Sequence, residues 1–391
     1  MRRTSGARSG ATGWVLPVVC LALAGCPEST VGDGDGDVVA DRPVEVVDVP
    51  EETVEPAAPP IDILVLVDNS AYMGTEGMAL TQVFPLLLDE LVHPTDGDGD
   101  GELDHPPVND LRLGVVTQDL GACGYPLSSC EDDPIDGDDG CLQHAPNPIV
   151  PACGSDYPTW LSWRAEEEAT YSVERLGGDF TCLATFDTAP PRDGCGIEQP
   201  LESLRRALTT QLEPGGCNEG FLRPDSLLVL IVLTDEDDTS IDPDHCDLLD
   251  PERTDELGPL NIRPFLHPEM LVPVEQFVET FRALRPEGSN RLVVGMLVGV
   301  PPLDERCRGP GDELDACLAL PEMQERVDPA VPSQLVPSCN TSMGLAMPPV
   351  RLVRLARQLG EDAYVGSQCE TDYRGTIRGI TDAVVARLRA E

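Results

Sequence analysis

Oxygen-bearing side chains stand directly after the two most strand-like runs of the chain. Ile63 to Val67 is an unbroken series of apolar, mostly branched residues, and it ends abruptly in Asp68-Asn69-Ser70. Leu227 to Leu233 is equally apolar and ends in Thr234-Asp235-Glu236-Asp237-Asp238. Short runs of this kind read as strands buried on both faces, the type found in parallel sheets. In open α/β sheets, ligands bind just beyond the carboxyl ends of strands. A carboxylate and a hydroxyl placed there are either a site or the remains of one.

A second acidic pattern lies between Thr95 and Asp104. Its spacing, D-x-D-x-D-G-x-x-D, sets Asp96, Asp98, Asp100 and Asp104 where an EF-hand-like loop presents carboxylates, with Gly101 at the sharp turn. The twelfth position is Pro107 rather than the bidentate Glu, and no flanking helix pair is evident. The pattern predicts a calcium (Ca2+) staple; the bland alternative is a solvated acidic loop.

The elements that must position these residues alternate. Helical spacing is expected over Glu76–Val92, with Met78, Val83, Leu86, Leu87 and Leu91 on the apolar face and Pro85 bending the helix or marking its start. Leu111–Thr117 reads as a strand, Phe180–Phe186 as a short edge strand, and Glu198–Leu212 as a helix with Leu201, Leu204, Ala207 and Leu208 inward. Val272–Leu284 reads as a helix and Arg291–Val298 as a strand. Val350–Leu359 reads as a helix, Ala363–Gly366 as a strand, and Tyr373–Arg389 as a closing helix. Strands alternating with crossovers of helical length mean a mostly parallel α/β sheet with helices on both faces. Three Cys-bearing excursions, about 119–178, 236–270 and 301–345, each follow the carboxyl end of a strand and should stack on the face carrying Asp68 and Asp235.

Composition sets the address. The chain has 391 residues and a formal net charge of -44, and all 26 basic residues are Arg. So acidic a surface argues against nucleic acid and against anionic lipid as partners. Residues 1–25 have the charged start and short apolar stretch of an export signal. Leu23-Ala24-Gly25-Cys26 resembles a bacterial lipobox, which implies lipidation of Cys26 and a place in the cell envelope, at the outer membrane. Residues 26–60 are acidic and Pro-rich and read as an extended tether. Twelve Cys follow Cys26, an even number that in an exported chain reads as up to six disulfides of undeducible pairing.

Val65-Leu66-Val67-Asp68-Asn69-Ser70 followed by Leu233-Thr234-Asp235 resembles a von Willebrand factor A domain, a Rossmann-like fold. More narrowly, the chain is similar to Cys-rich myxobacterial lipoproteins of that family. The matching pieces are Gly114-Val115-Val116-Thr117-Gln118-Asp119, Gly194-Cys195-Gly196-Ile197-Glu198-Gln199-Pro200-Leu201-Glu202, Gly220-Phe221-Leu222-Arg223 and Thr234-Asp235-Glu236-Asp237-Asp238. The resemblance spans about residues 61–388. It implies a metal-ion-dependent adhesion site holding Mg2+ or Mn2+ through Asp68, Ser70 and Asp235, with an open position for a partner's carboxylate. Tyr72 stands where the family has a second Ser, and Cys195 falls near the expected Thr. A phenol is too long to copy a serine hydroxyl, and a thiol suits magnesium poorly. The alternative is a vestigial, hydrogen-bonded cluster.

Enzyme readings find less support. A strand ending in Asp68 is superficially similar to haloacid-dehalogenase-type phosphatases and phosphoreceiver domains, but those and the P-loop depend on a Lys that this chain lacks. No GxSxG or HExxH motif occurs. His93, His105, His144, His245 and His267 are scattered beside Pro or Asp and read as surface residues. Trp160 and Trp163 read as anchors of the first excursion, and Glu166-Glu167-Glu168 as a solvated face. The expectation is a non-enzymatic, lipid-anchored envelope protein that binds another protein or a surface polymer. A structural scaffold held by disulfides and calcium is the alternative, and a hydrolase the least supported.

Overall fold

Every apolar run expected to be a sheet-core strand forms one. The computed structural model describes residues 58–70, 73–97, 99–130, 135–146, 150, 153–186 and 194–389. These lie within one contact unit, Val54–Glu391. The export signal, Cys26, most of the tether, Tyr72 and Asp98 fall outside the described residues.

In chain order come β1 (Ile61–Val67), α1 (Gly74–Val92), β2 (Asp110–Val116), β3 (Leu161–Arg164), α2 (Val173–Ala184), α3 (Pro200–Leu208) and β4 (Leu227–Leu233). Two one-turn helices follow, α4 (Thr254–Leu257) and α5 (Arg263–Leu266), then α6 (Val274–Ala283) and β5 (Leu292–Val298). The last part holds β6 (Gly309–Pro310), α7 (Asp315–Leu318), β7 (Cys339–Asn340), β8 (Leu345–Ala346), α8 (Val350–Leu359), β9 (Ala363–Ser367) and α9 (Arg374–Leu388). One seven-stranded sheet has the order β3-β2-β1-β4-β5-β9-β6, and β7 and β8 form a separate ribbon. The five strands from β2 to β9 are parallel, and only the edge strands β3 and β6 run against them. This is a Rossmann-like α/β sheet.

Alternation along the strands divides the core. Ile61, Ile63, Val65 and Val67, with Leu227, Val229, Ile231 and Leu233, pack with α1, α2 and α9. Leu64 and Leu66, with Leu228, Leu230 and Val232, pack with α3, α6 and α8. Gly295 on β5 admits α9: a Cβ there would lie 2.5 Å from Ile380 Cδ1.

Three local expectations change. Residues 180–186 are not an edge strand, because residues 173–184 form α2. Ser172 caps it by accepting from Arg175 N–H, and Val173, Leu176, Phe180 and Leu183 supply a helical apolar stripe. The antiparallel edge strand beside β2 is instead β3, inside the first excursion. There Trp163 is buried and donates to Glu168, while Trp160 packs edge-on against Phe221. In α1, Met78 and Leu86 are exposed, and the buried stripe is Leu80, Phe84, Leu87, Leu88 and Leu91; Pro85 lies inside the helix, facing Gly177 of α2. His105 is buried rather than on the surface, its Nδ1 beside Pro106 O at 2.9 Å.

All twelve Cys after Cys26 pair: 123–246, 130–195, 141–217, 153–182, 307–317 and 339–369. Cys123–Cys246 links the first excursion to the second, and Cys339–Cys369 links the third to the end of β9. The first excursion does not stay on one face, since Gln143 N–H returns to Val115 O along β2 and Cys141 joins Cys217, in the loop leading into β4.

Candidate functional site

Parallel neighbours β1 and β4 end in register, Val67 opposite Leu233, so their following residues meet. Thr234 Oγ1 donates to Asp68 Oδ2 at 2.8 Å, and Ser70 N–H donates to Asp68 Oδ1 at 2.8 Å. Asp68 is 1% exposed, Ser70 6% and Thr234 0%. Asp235 follows at the same rim, and its main-chain carbonyl accepts from Met347 N–H of the third excursion. Its Oδ1 is buried with no hydrogen-bond partner. The structure therefore brings Asp68, Ser70 and Asp235 together at the carboxyl ends of the strands.

It also brings three carboxylates that stand outside the expected ligand set. Glu76 lies in the first turn of α1, 3% exposed, with Oε2 unpartnered. Glu198 lies just before α3, where Pro200 starts the helix and the Glu198 carbonyl accepts from Thr239 N–H and Oγ1. Glu236 follows Asp235. Glu198 lies three residues after Cys195. Cys195, which falls near the expected Thr, is taken by its disulfide to Cys130, and its N–H donates to Asp119 Oδ2.

Electrostatics defines the cluster. Burial pushes the carboxyls of Asp68, Glu76 and Glu198 above the ordinary range, and that of Asp235 up to about 9. Burial, then the charge of Asp235, raises Glu236 to about 8. The leading charges acting on Glu76, Glu198, Asp235 and Glu236 are all carboxylates. Arg351 is engaged beside them, with Asp238 at 2.9 Å, the Val272 carbonyl and, through its main-chain N–H, Asp237.

These donors are hard oxygens of the kind magnesium, manganese and calcium take, and the two orphaned oxygens, Glu76 Oε2 and Asp235 Oδ1, fit a cation. Among the described residues, no group of three or more His, Cys, Asp or Glu is arranged so that it could hold a metal ion. An ion here would therefore draw on the Ser70 hydroxyl and on water as well as on carboxylates.

The Asp/Gly loop closes on itself. Asp96 accepts from Gly99 N–H and Gly101 N–H, Asp100 from Glu102 N–H and Asp104 from Gly97 N–H, while Arg389 pairs with Asp104 at 3.2 Å. Backbone amides and an arginine thus use oxygens of Asp96, Asp100 and Asp104, three of the four residues expected to face calcium.

No protein-family model and no curated protein matches the chain. Among solved structures it is similar to proximal thread matrix protein 1 from the mussel byssus, at 11% identity over 62% of this chain and 38% of that one, with a TM-score of 0.27. It is also similar to the pilus adhesin RrgA from Streptococcus pneumoniae, at 12% identity over 46% of this chain and 21% of that one, with a TM-score of 0.22. The chain spans less than half the length of either, and likenesses of this size carry no argument about what it does.

Proposed function

We propose that this chain is a lipid-anchored cell-envelope binding protein whose von Willebrand A-like domain engages a protein or surface polymer at the rim of Asp68, Ser70 and Asp235, with a divalent cation assisting. The observation that carries the reading is the convergence of buried carboxylates with orphaned oxygens and no arginine among their leading charges. Uncompensated buried charge is costly, and a bound cation is the direct remedy. Calorimetric titration of the purified chain with Mg2+, Mn2+ and Ca2+ tests it. Saturable binding lost in Asp68→Ala is expected; no heat with any of the three ions defeats the metal-assisted reading.

A structural scaffold is the second reading, favoured by the disulfides that tie the excursions to one another and to the sheet. Under it, Asp68→Ala leaves partner binding unchanged while reduction abolishes it. No catalytic residue is proposed.

A further inference from the structure

We propose that the mouth of this rim takes a cationic group, the Lys or Arg side chains of a basic segment on a partner protein, and rejects the acidic group that an ion-centred adhesion site would accept. This rests on the rim being the binding site, but not on its holding an ion.

The rim has two layers. Asp68, Ser70, Thr234 and Glu76 are buried, while Glu198, Asp235 and Glu236 are half-buried and so nearer the solvent. Whatever enters meets carboxylates first. The buried layer asks for positive charge as well: Glu76 is 3% exposed, its Oε2 has no partner, and its charge acts on Asp235 while that of Asp68 acts on it. Asp235 Oδ1 is likewise without a donor. Arg351 is spent on Asp238, Asp237 and a carbonyl, so it does not offset the cluster.

A single divalent ion would offset two charges and leave the other three of these five carboxyls to stay protonated or find another cation. Glu198 matters most, because its half-buried carboxylate comes from a separate loop and its charge acts directly on Asp235. An approaching carboxylate would then be desolvated against like charge, which costs affinity. An ammonium or guanidinium can instead donate charge-assisted hydrogen bonds to the half-buried carboxylates of Glu198 and Glu236.

The test is calorimetry of the purified chain with tetralysine and tetraglutamate, each in chelator and in excess calcium at physiological salt. Tetralysine should bind saturably, several-fold tighter in chelator if the rim takes up calcium. The double variant Glu198→Gln/Glu236→Gln should weaken it tenfold or more. Glu166→Gln/Glu167→Gln, exposed residues beside β3, controls for the acidic surface at large and should leave it unchanged. Because the rim substitutions remove repulsion, thermal unfolding should find both rim variants at least as stable as the parent, and Glu236→Gln alone should give an intermediate affinity. Tetralysine binding unchanged in the double variant overturns the proposal, as does calcium-dependent uptake of tetraglutamate. A chain that binds no metal but still takes tetralysine at the rim would defeat the ion and leave this inference standing.

Discussion

Asp62 and Asp68 sit at opposite ends of β1, both buried, and the chain treats them in opposite ways. At the amino end, Asp62 is 0% exposed and fully answered. Arg223 approaches it at 2.7 Å and its main-chain N–H donates to the same carboxylate, as does the Ser226 hydroxyl at 2.6 Å. Arg223 also reaches Asp110 at 2.6 Å, joining β1 to β2. At the carboxyl end, Asp68 is answered by hydroxyl and amide donors alone, and the charges gathered around it are other carboxylates. One end resolves its buried charge inside the chain. The other gathers further carboxylates around its buried one, and under the proposed function that is the difference between a structural cluster and a binding one.

The largest way to break that contrast is Arg223→Ala. Losing one partner of a buried pair costs about 3–5 kcal/mol, so denaturant unfolding should show a loss of that order that added divalent ions do not repair. Repair by calcium would mean that the two ends are alike. Next comes the ion itself. A ligand at a hundred times its Kd stabilises the folded state by about 2.7 kcal/mol. Calcium or magnesium at that excess should raise the melting temperature of the parent, and Asp68→Ala should abolish the rise.

The third effect follows pH. The carboxyls of Asp235, Glu236 and Asp237 are raised to about 9, 8 and 7, Asp237 by burial first and then by Glu325. All lie above the ordinary unfolded values of about 4. The folded chain therefore holds protons that the unfolded chain has released, and stability falls as pH rises. In chelator, the melting temperature should decline between about pH 5 and pH 9, and a divalent ion should flatten the decline. A flat profile in chelator would show that the rim is not strained by its charges. Smallest is Glu236→Gln, which should stabilise the metal-free chain by about 1 kcal/mol at pH 8 and by nothing near pH 5, where the carboxyl is protonated in the fold. Equal gains at both pH values would trace the effect to packing.

Much of the frame was legible in the chain. β4, β5 and the part of β1 from Ile63 onward are apolar on both faces, and only a strand with helices above and below can bury such a run. The meeting of positions 68 and 235 follows once those strands are neighbours. Residues 180–186 misled because Phe180 and Phe186 flank a stretch too short to separate period 2 from period 3.6; the stripe becomes helical only when Val173 and Leu176 are counted with it. Met78 and Leu86 misled because an apolar residue on a helix need not face the core. Glu76, Glu198 and Glu236 were legible only as acids among 70.

By itself, then, the sequence determined the five parallel strands, the helices between most of them, the even Cys count and the carboxylates that close β1 and β4, because each is written in local periodicity or in simple number. Tertiary structure alone decided which Cys joins which, which face of α1 is buried, and which acids share one low-dielectric rim. Those depend on the order β2-β1-β4 and on where loops far apart in the chain return, and no short-range pattern encodes either.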